Sequence, residues 1–125
     1  MSTNTYAETL EAAKQDYSFT HWREHWQKEL FREIEPTGVE DSNAVQLIFD
    51  QLIAGLMKLG EDASEKKKVK LFQKAIEATN SYGHIIETAQ AEELWELTNT
   101  ITVACGLDPD EYGDGEGLLS EWREW

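Results

Sequence analysis

Apolar side chains recur every three to four positions almost from end to end of the chain, the spacing of one helical face. Tyr6, Leu10, Ala13 and Tyr17 stand four, three and four residues apart and predict a short amphipathic helix over residues 5–16. Phe19, Trp22, Trp26, Leu30 and Ile34 form the stripe of a second helix. Ser18 or Thr20 can cap it, and Pro36 and Gly38 end it. Asp41 and Ser42 open a third, the most apolar, through Val45, Ile48, Phe49, Leu52, Ile53, Leu56, Met57 and Leu59. Its apolar arc is wide, which places it at the centre of a bundle with Gly60 as its stop. Asp62 or Ser64 starts a fourth, with Val69, Phe72, Ala75, Ile76 and Thr79 inward and an end near Tyr82 and Gly83. Thr88 starts a fifth, turning Leu94, Leu97, Ile101, Ala104 and Cys105 inward, with Gly106 just past its end. An acidic loop over 108–116 and a short terminal turn over 118–125 close the chain. No segment alternates with period two, so no sheet is expected. The pattern predicts an all-α fold, an up-and-down bundle of four to five helices with a short C-terminal helical turn.

Length and composition narrow this. At 125 residues the chain is one domain's worth, 1–125, with 40% of its residues apolar. Acids outnumber bases 25 to 11, a formal net charge of -14. Such a balance argues against nucleic acid, whose phosphates need a basic footprint, and against an anionic membrane surface. No apolar run reaches the length of a membrane span, and the N-terminus lacks the apolar core of a secretion signal. The lone thiol, Cys105, suits a reducing compartment and falls on an apolar helical face, as a small buried hydrophobe does. The expected location is cytoplasmic.

Charge is unevenly spread. Residues 1–63 hold 12 acids and 5 bases, residues 64–86 hold 2 acids and 5 bases, and residues 87–125 hold 11 acids and a single base, Arg123. The Lys66, Lys67, Lys68, Lys70 run enters the first turn of a helix, where cations oppose the macrodipole. It is expected to be a solvated face that balances the acidic C-terminal third.

Three spellings touch on chemistry. His21-Trp22-Arg23-Glu24-His25 reads H-x-x-E-H, the inverted zinc-peptidase motif, with two imidazoles on one helical face. It lacks a third ligand in context, so His21 and His25 are expected at most to pick up adventitious zinc. Glu93 and Glu96, followed by Glu111 and Asp114, fit the E-x-x-E and E-x-x-D pairs of the all-α nucleotide pyrophosphohydrolases of the MazG and dUTPase type. The resemblance would imply carboxylate-held Mg²⁺. The second pair lies between Pro109 and Gly115, however, where a facing helix is not expected. Asp108 to Glu116 also matches part of a calcium-loop register, but Tyr112 and Leu119 stand where two oxygen ligands belong, so a glycine-rich turn is the reading. No Ser/His/Asp set can be built, and His84, beside Gly83, reads as hydrogen-bonded scaffolding. No resident cofactor and no metal are expected.

Trp122 and Trp125 sit three apart among carboxylates, either as anchors for a basic partner or folded back to seal the bundle. The stretch from Ile86-Glu87-Thr88 through Cys105-Gly106-Leu107-Asp108-Pro109 to Glu121-Trp122-Arg123-Glu124-Trp125 resembles small, acidic, uncharacterised bacterial all-α proteins sharing an I-E-T helix start and an E-W-R-x-W ending. In size, acidity and helical content the whole chain is similar to the immunity proteins that neutralise secreted bacterial toxins. That resemblance implies a non-enzymatic interaction module whose acidic C-terminal face meets a basic protein partner. The residues expected to carry it are Glu92, Glu96, Asp110, Glu111, Asp114, Glu121 and Trp122. The alternative is the Mg²⁺-dependent pyrophosphohydrolase using Glu93, Glu96, Glu111 and Asp114.

Overall fold

A computed structural model of the chain describes residues 5–29 and 37–125, with side chains for 6–24 and 39–125. Within these the fold is all-α, without strands. The elements run α1 (Thr5–Ala12), a 3-10 turn (Ala13–Asp16), α2 (Phe19–Glu29), α3 (Thr37–Leu59), α4 (Glu65–Thr79) and a 3-10 stretch (Asn80–Ile85). Then follow α5 (Thr88–Ala104), two 3-10 turns (Pro109–Glu111 and Gly113–Gly115) and the single turn α6 (Leu119–Trp122).

The periodicity accounts for the arrangement. The apolar arc of α3 lets it pack on α1, α2 and α4 together, and Val45, Phe49, Leu52, Ile53 and Leu56 are buried along it. Tyr17, Phe19 and Trp22 stack edge to face with centroids 5.0 and 5.1 Å apart, and Phe49 of α3 closes the cluster at 6.2 Å. Phe72 and Ile76 of α4 and Leu94, Leu97 and Ile101 of α5 complete the core under Leu118 and Leu119. Each such fully buried side chain contributes about 1.5–3 kcal/mol relative to exposure.

Helix ends follow local chemistry. Ser64 Oγ accepts the Lys67 amide at 3.3 Å and caps α4. Gly60, at φ 94°, stops α3 while its amide bonds Leu56 carbonyl. At the end of α5, Leu107 N–H reaches Thr102 carbonyl and Gly106 N–H reaches Val103 carbonyl, a Schellman motif that needs the positive φ of Gly106.

Several boundaries differ from expectation. The first helix tightens to a 3-10 turn from Ala13, and the fourth does so from Asn80. α3 begins at Thr37, so Gly38 is helical and Asp41 and Ser42 lie inside the helix. Ser42 is fully buried and Asp41 accepts a 2.7 Å bond with His84 Nε2, and neither stands at the helix end as a cap would. Leu30, Ile34 and Pro36, and the side chain of Trp26, lie outside the described residues.

The lysine run is not wholly a solvated face. Lys66, Lys67 and Lys70 are exposed, but Lys68 is 5% exposed. Its ammonium donates 2.8 Å bonds to the carbonyls of Glu61 and Cys105 and stands 5.3 Å from the Tyr6 ring centre. The charge thereby sits at the carbonyl end of α5, where the helix dipole favours a cation.

Candidate functional site

α5 presents two faces. Leu94, Leu97, Thr98, Ile101 and Thr102 are buried, and Thr102 Oγ1 donates to Thr98 carbonyl at 2.6 Å. Beside that stripe Trp95, Asn99 and Val103 follow at four-residue steps, so they share an outer face. Trp95 is 41% and Val103 62% exposed, large apolar groups left open to solvent.

The C-terminal segment is laid along this outer face by specific bonds. Asp108 Oδ1 accepts the Asp110 amide at 2.9 Å, and Tyr112 carbonyl accepts the amides of Gly115 and Gly117 at 3.0 and 2.9 Å. Gly117, at φ 101°, lies so close to Asn99 that a Cβ would stand 2.3 Å from Asn99 Oδ1. Trp95 Nε1 donates to Glu116 carbonyl at 2.6 Å, and Glu121 Oε2 accepts the Gly113 amide at 2.8 Å. The last residues are tied to the end of α4: Trp125 Nε1 donates to Thr79 Oγ1 at 3.0 Å, and Asn80 bonds both Trp122 carbonyl and the Glu124 amide.

These contacts leave three hollows that join along one face. An apolar groove of about 590 Å³ runs between Thr9, Ala12 and Ala13 on one side and Trp95 to Ala104 of α5 on the other. Trp95 is also a wall of a cleft of about 460 Å³ shared with Glu87, Glu92, Glu116, Arg123 and Trp125. The Arg123 guanidinium stands 5.4 Å from the Trp125 ring centre, a cation–π contact. Glu116 and Arg123 in turn border a polar hollow of about 410 Å³ with Asp114, Ser120 and Glu121.

The expected partner-binding residues are partly gathered here. Glu92, Glu96, Asp114 and Glu121 are exposed and line the joined hollows. Asp110 and Glu111 are exposed on the preceding 3-10 turn and line none of the three. Trp122 is half-buried and packs against the core, with its carbonyl held by Asn80. Among the described residues none of the six carboxylates has a basic side chain within ion-pair distance. Trp95, Val103, Glu87 and Glu116 are not among the residues expected from sequence to bind the partner. The signal for the first two was present: both are large apolar residues standing off the inward stripe of α5, two turns apart.

The metal-binding alternative meets a different geometry. Glu93 Oε1 accepts a 2.7 Å bond from Trp22 Nε1, which ties α5 to α2. Glu96 opens onto the apolar groove, while Glu111 and Asp114 occupy separate 3-10 turns, so no second α-helix faces the first pair. Among the described residues no three His, Cys, Asp or Glu side chains gather as a metal ion requires. His21 is exposed, 3.7 Å from Glu24, and the side chain of His25 lies outside the described residues.

Cys105 is placed as a core residue. Burial pushes the Cys105 thiol above its ordinary range, outweighing the opposing pull of neighbouring backbone groups and Lys68. The neutral thiol donates to Thr102 carbonyl at 3.2 Å and behaves as a core residue. Among the described residues no helix is long and apolar enough to cross a membrane. Comparison with protein-family models, curated proteins and solved structures finds no match to this chain.

Proposed function

We propose that this chain is a non-enzymatic interaction protein whose acidic face, built from α5 and the C-terminal segment, engages a basic protein partner. The cytoplasmic, bacterial, immunity-like setting implied by the sequence resemblance belongs to the same reading. The observation that supports it is the set of exposed carboxylates, Glu92, Glu96, Asp114 and Glu121, around hollows that also hold Trp95 and Trp125, none of the four in an ion pair with a described basic side chain. Carboxylates not paired with basic side chains project a field that steers a basic surface toward them, and an aromatic ring among them supplies the contact that holds it.

Charge reversal tests this. Immobilised protein, wild type or carrying Glu92→Lys, Glu96→Lys and Asp114→Lys, is used to capture partners from cells that produce the chain. Association of the captured partner is then timed across a salt series. The substitutions are expected to slow association by about tenfold at low salt and to flatten its dependence on ionic strength. Equal rates and equal salt slopes for the two proteins would refute the assignment. Asp114 has φ 55°, which Asp tolerates better than Lys, so the triple variant is expected to lose about 1 kcal/mol of stability while keeping its helical circular dichroism.

A further inference from the structure

The apolar groove between α1 and α5 is the part of the face that charge alone does not explain. Its lining joins the small side chains of Ala12, Ala13 and Ala104 to the exposed, large ones of Trp95 and Val103. Burying Val103 on a partner would recover apolar surface that folding leaves 62% exposed. From Trp95 to Ala104 the groove follows ten residues of α5, about 14 Å at the helical rise, a span that matches two to three turns of another helix. Helices wall it on both sides, and no sheet edge offers a strand its hydrogen bonds among the described residues.

Charge decides the occupant. Glu96 lines the groove itself, and Glu92 and Glu116 lie just past Trp95 in the adjoining cleft. Residues 87–125 hold 11 acids against one base, so a second copy docking here would set like charges against each other. A helix with an apolar ridge for the groove and Lys or Arg along its flank meets both features together. Resting on the acidic-face reading above, we infer that the partner is held by an amphipathic basic helix whose apolar ridge seats in the α1–α5 groove against Trp95 and Val103.

The probe is a synthetic Leu/Lys peptide of about four helical turns with its leucines at i, i+3, i+4 and i+7, set against a peptide of the same composition in shuffled order. Binding to the intact chain is measured by titration and mapped by amide chemical shifts. The patterned peptide is expected to bind about tenfold tighter than the shuffled one and to shift Ala12, Asn99 and Val103. Val103→Asp sharpens the test because the two mechanisms give opposite signs. An added carboxylate strengthens a purely electrostatic complex, whereas polarity in the groove weakens a seated helix. Groove docking therefore requires tighter binding by wild type than by Val103→Asp, and the exposed position keeps the fold, with Val103→Ser as the second variant should it not.

Equal binding of both peptides, with Val103→Asp at least as tight and shifts confined to Glu92, Asp114 and Glu121, would overturn the groove while leaving the acidic face standing. No binding of either peptide at low salt would overturn both. A dimer in sedimentation, lost in Val103→Asp, would make a second copy the occupant and overturn the basic helix.

Discussion

At the scale of single residues, Lys68 shows how a charged group becomes part of a core. It belongs to a run of lysines whose other members face water, yet its stem passes inward and its ammonium donates to two backbone carbonyls, those of Glu61 and Cys105. Lys68→Met keeps most of the stem and removes both bonds. One buried acceptor left unmet and one half-buried bond lost are expected to cost about 1–3 kcal/mol, partly offset by the relief from burying an ammonium, and read as a lower urea midpoint with an unchanged slope. The loss should persist at high salt, because the site is shielded from ions. A midpoint equal to wild type would mean that the ammonium is not holding the α4–α5 junction. Nothing in the sequence singled out this lysine from its neighbours. What selects it is the carbonyl end of α5, 37 residues further on, and long-range placement of that kind leaves no local pattern. Trp95 is the converse case: its exposure could be read from its offset to the inward stripe, whereas its bond to Glu116 carbonyl depends on how the last segment folds back.

At the scale of elements, helix existence was legible and helix ends were legible only where a local cap decides them. Ser64 and Gly106 act through their own backbone neighbourhoods, so their roles follow from residue type and position. The start of α3 does not: Gly38 would ordinarily break a helix, yet the helix runs from Thr37 and carries Ser42 and Val45 into full burial. The same distinction separates two glycines. Gly60 ends α3 at φ 94°, and a Cβ placed there would meet no atom within 4 Å, so Gly60→Ala is expected to cost only the backbone strain, about 1 kcal/mol. Gly117, at φ 101°, has Asn99 Oδ1 2.3 Å from the position of a Cβ. Gly117→Ala must therefore absorb that strain and also displace Asn99 from under the C-terminal segment, for about 2–4 kcal/mol in total. Thermal midpoints of the two variants check the order. Equal losses would show that the C-terminal segment is not pinned against α5, and the hollows shared by Glu116, Glu121 and Trp125 would lose their frame.

At the scale of the whole molecule, half-buried tyrosines couple the bundle to alkaline pH. Tyr6 on α1, Tyr17 before α2 and Tyr112 between the last 3-10 turns stand in different parts of the fold, and each has its phenol pushed upward. For Tyr6 burial is the main cause, reinforced by Cys105 and Glu61, and carries the group from 10.0 to about 12. For Tyr17 burial is joined by its 2.7 Å bond to Asp50, and for Tyr112 by its bond to Glu65. Below pH 10 the phenols are protonated in folded and unfolded chains alike and contribute no slope. Above the ordinary value of 10.0 the unfolded chain releases its phenolic protons while the folded chain retains them, so stability falls with rising pH, through about 12 for Tyr6 and further for the other two. Urea midpoints are thus expected to be flat in this contribution below pH 10 and to decline above it. Tyr17→Phe isolates one component: it should be about 1 kcal/mol less stable than wild type at neutral pH, having lost the bond to Asp50, and the gap should narrow as pH rises past the unfolded phenol's range. A gap that stays constant to the alkaline limit would show that Tyr17 titrates alike in the folded and unfolded chains, and that the Asp50 bond, the link between the α1–α2 connection and α3, does not persist in solution.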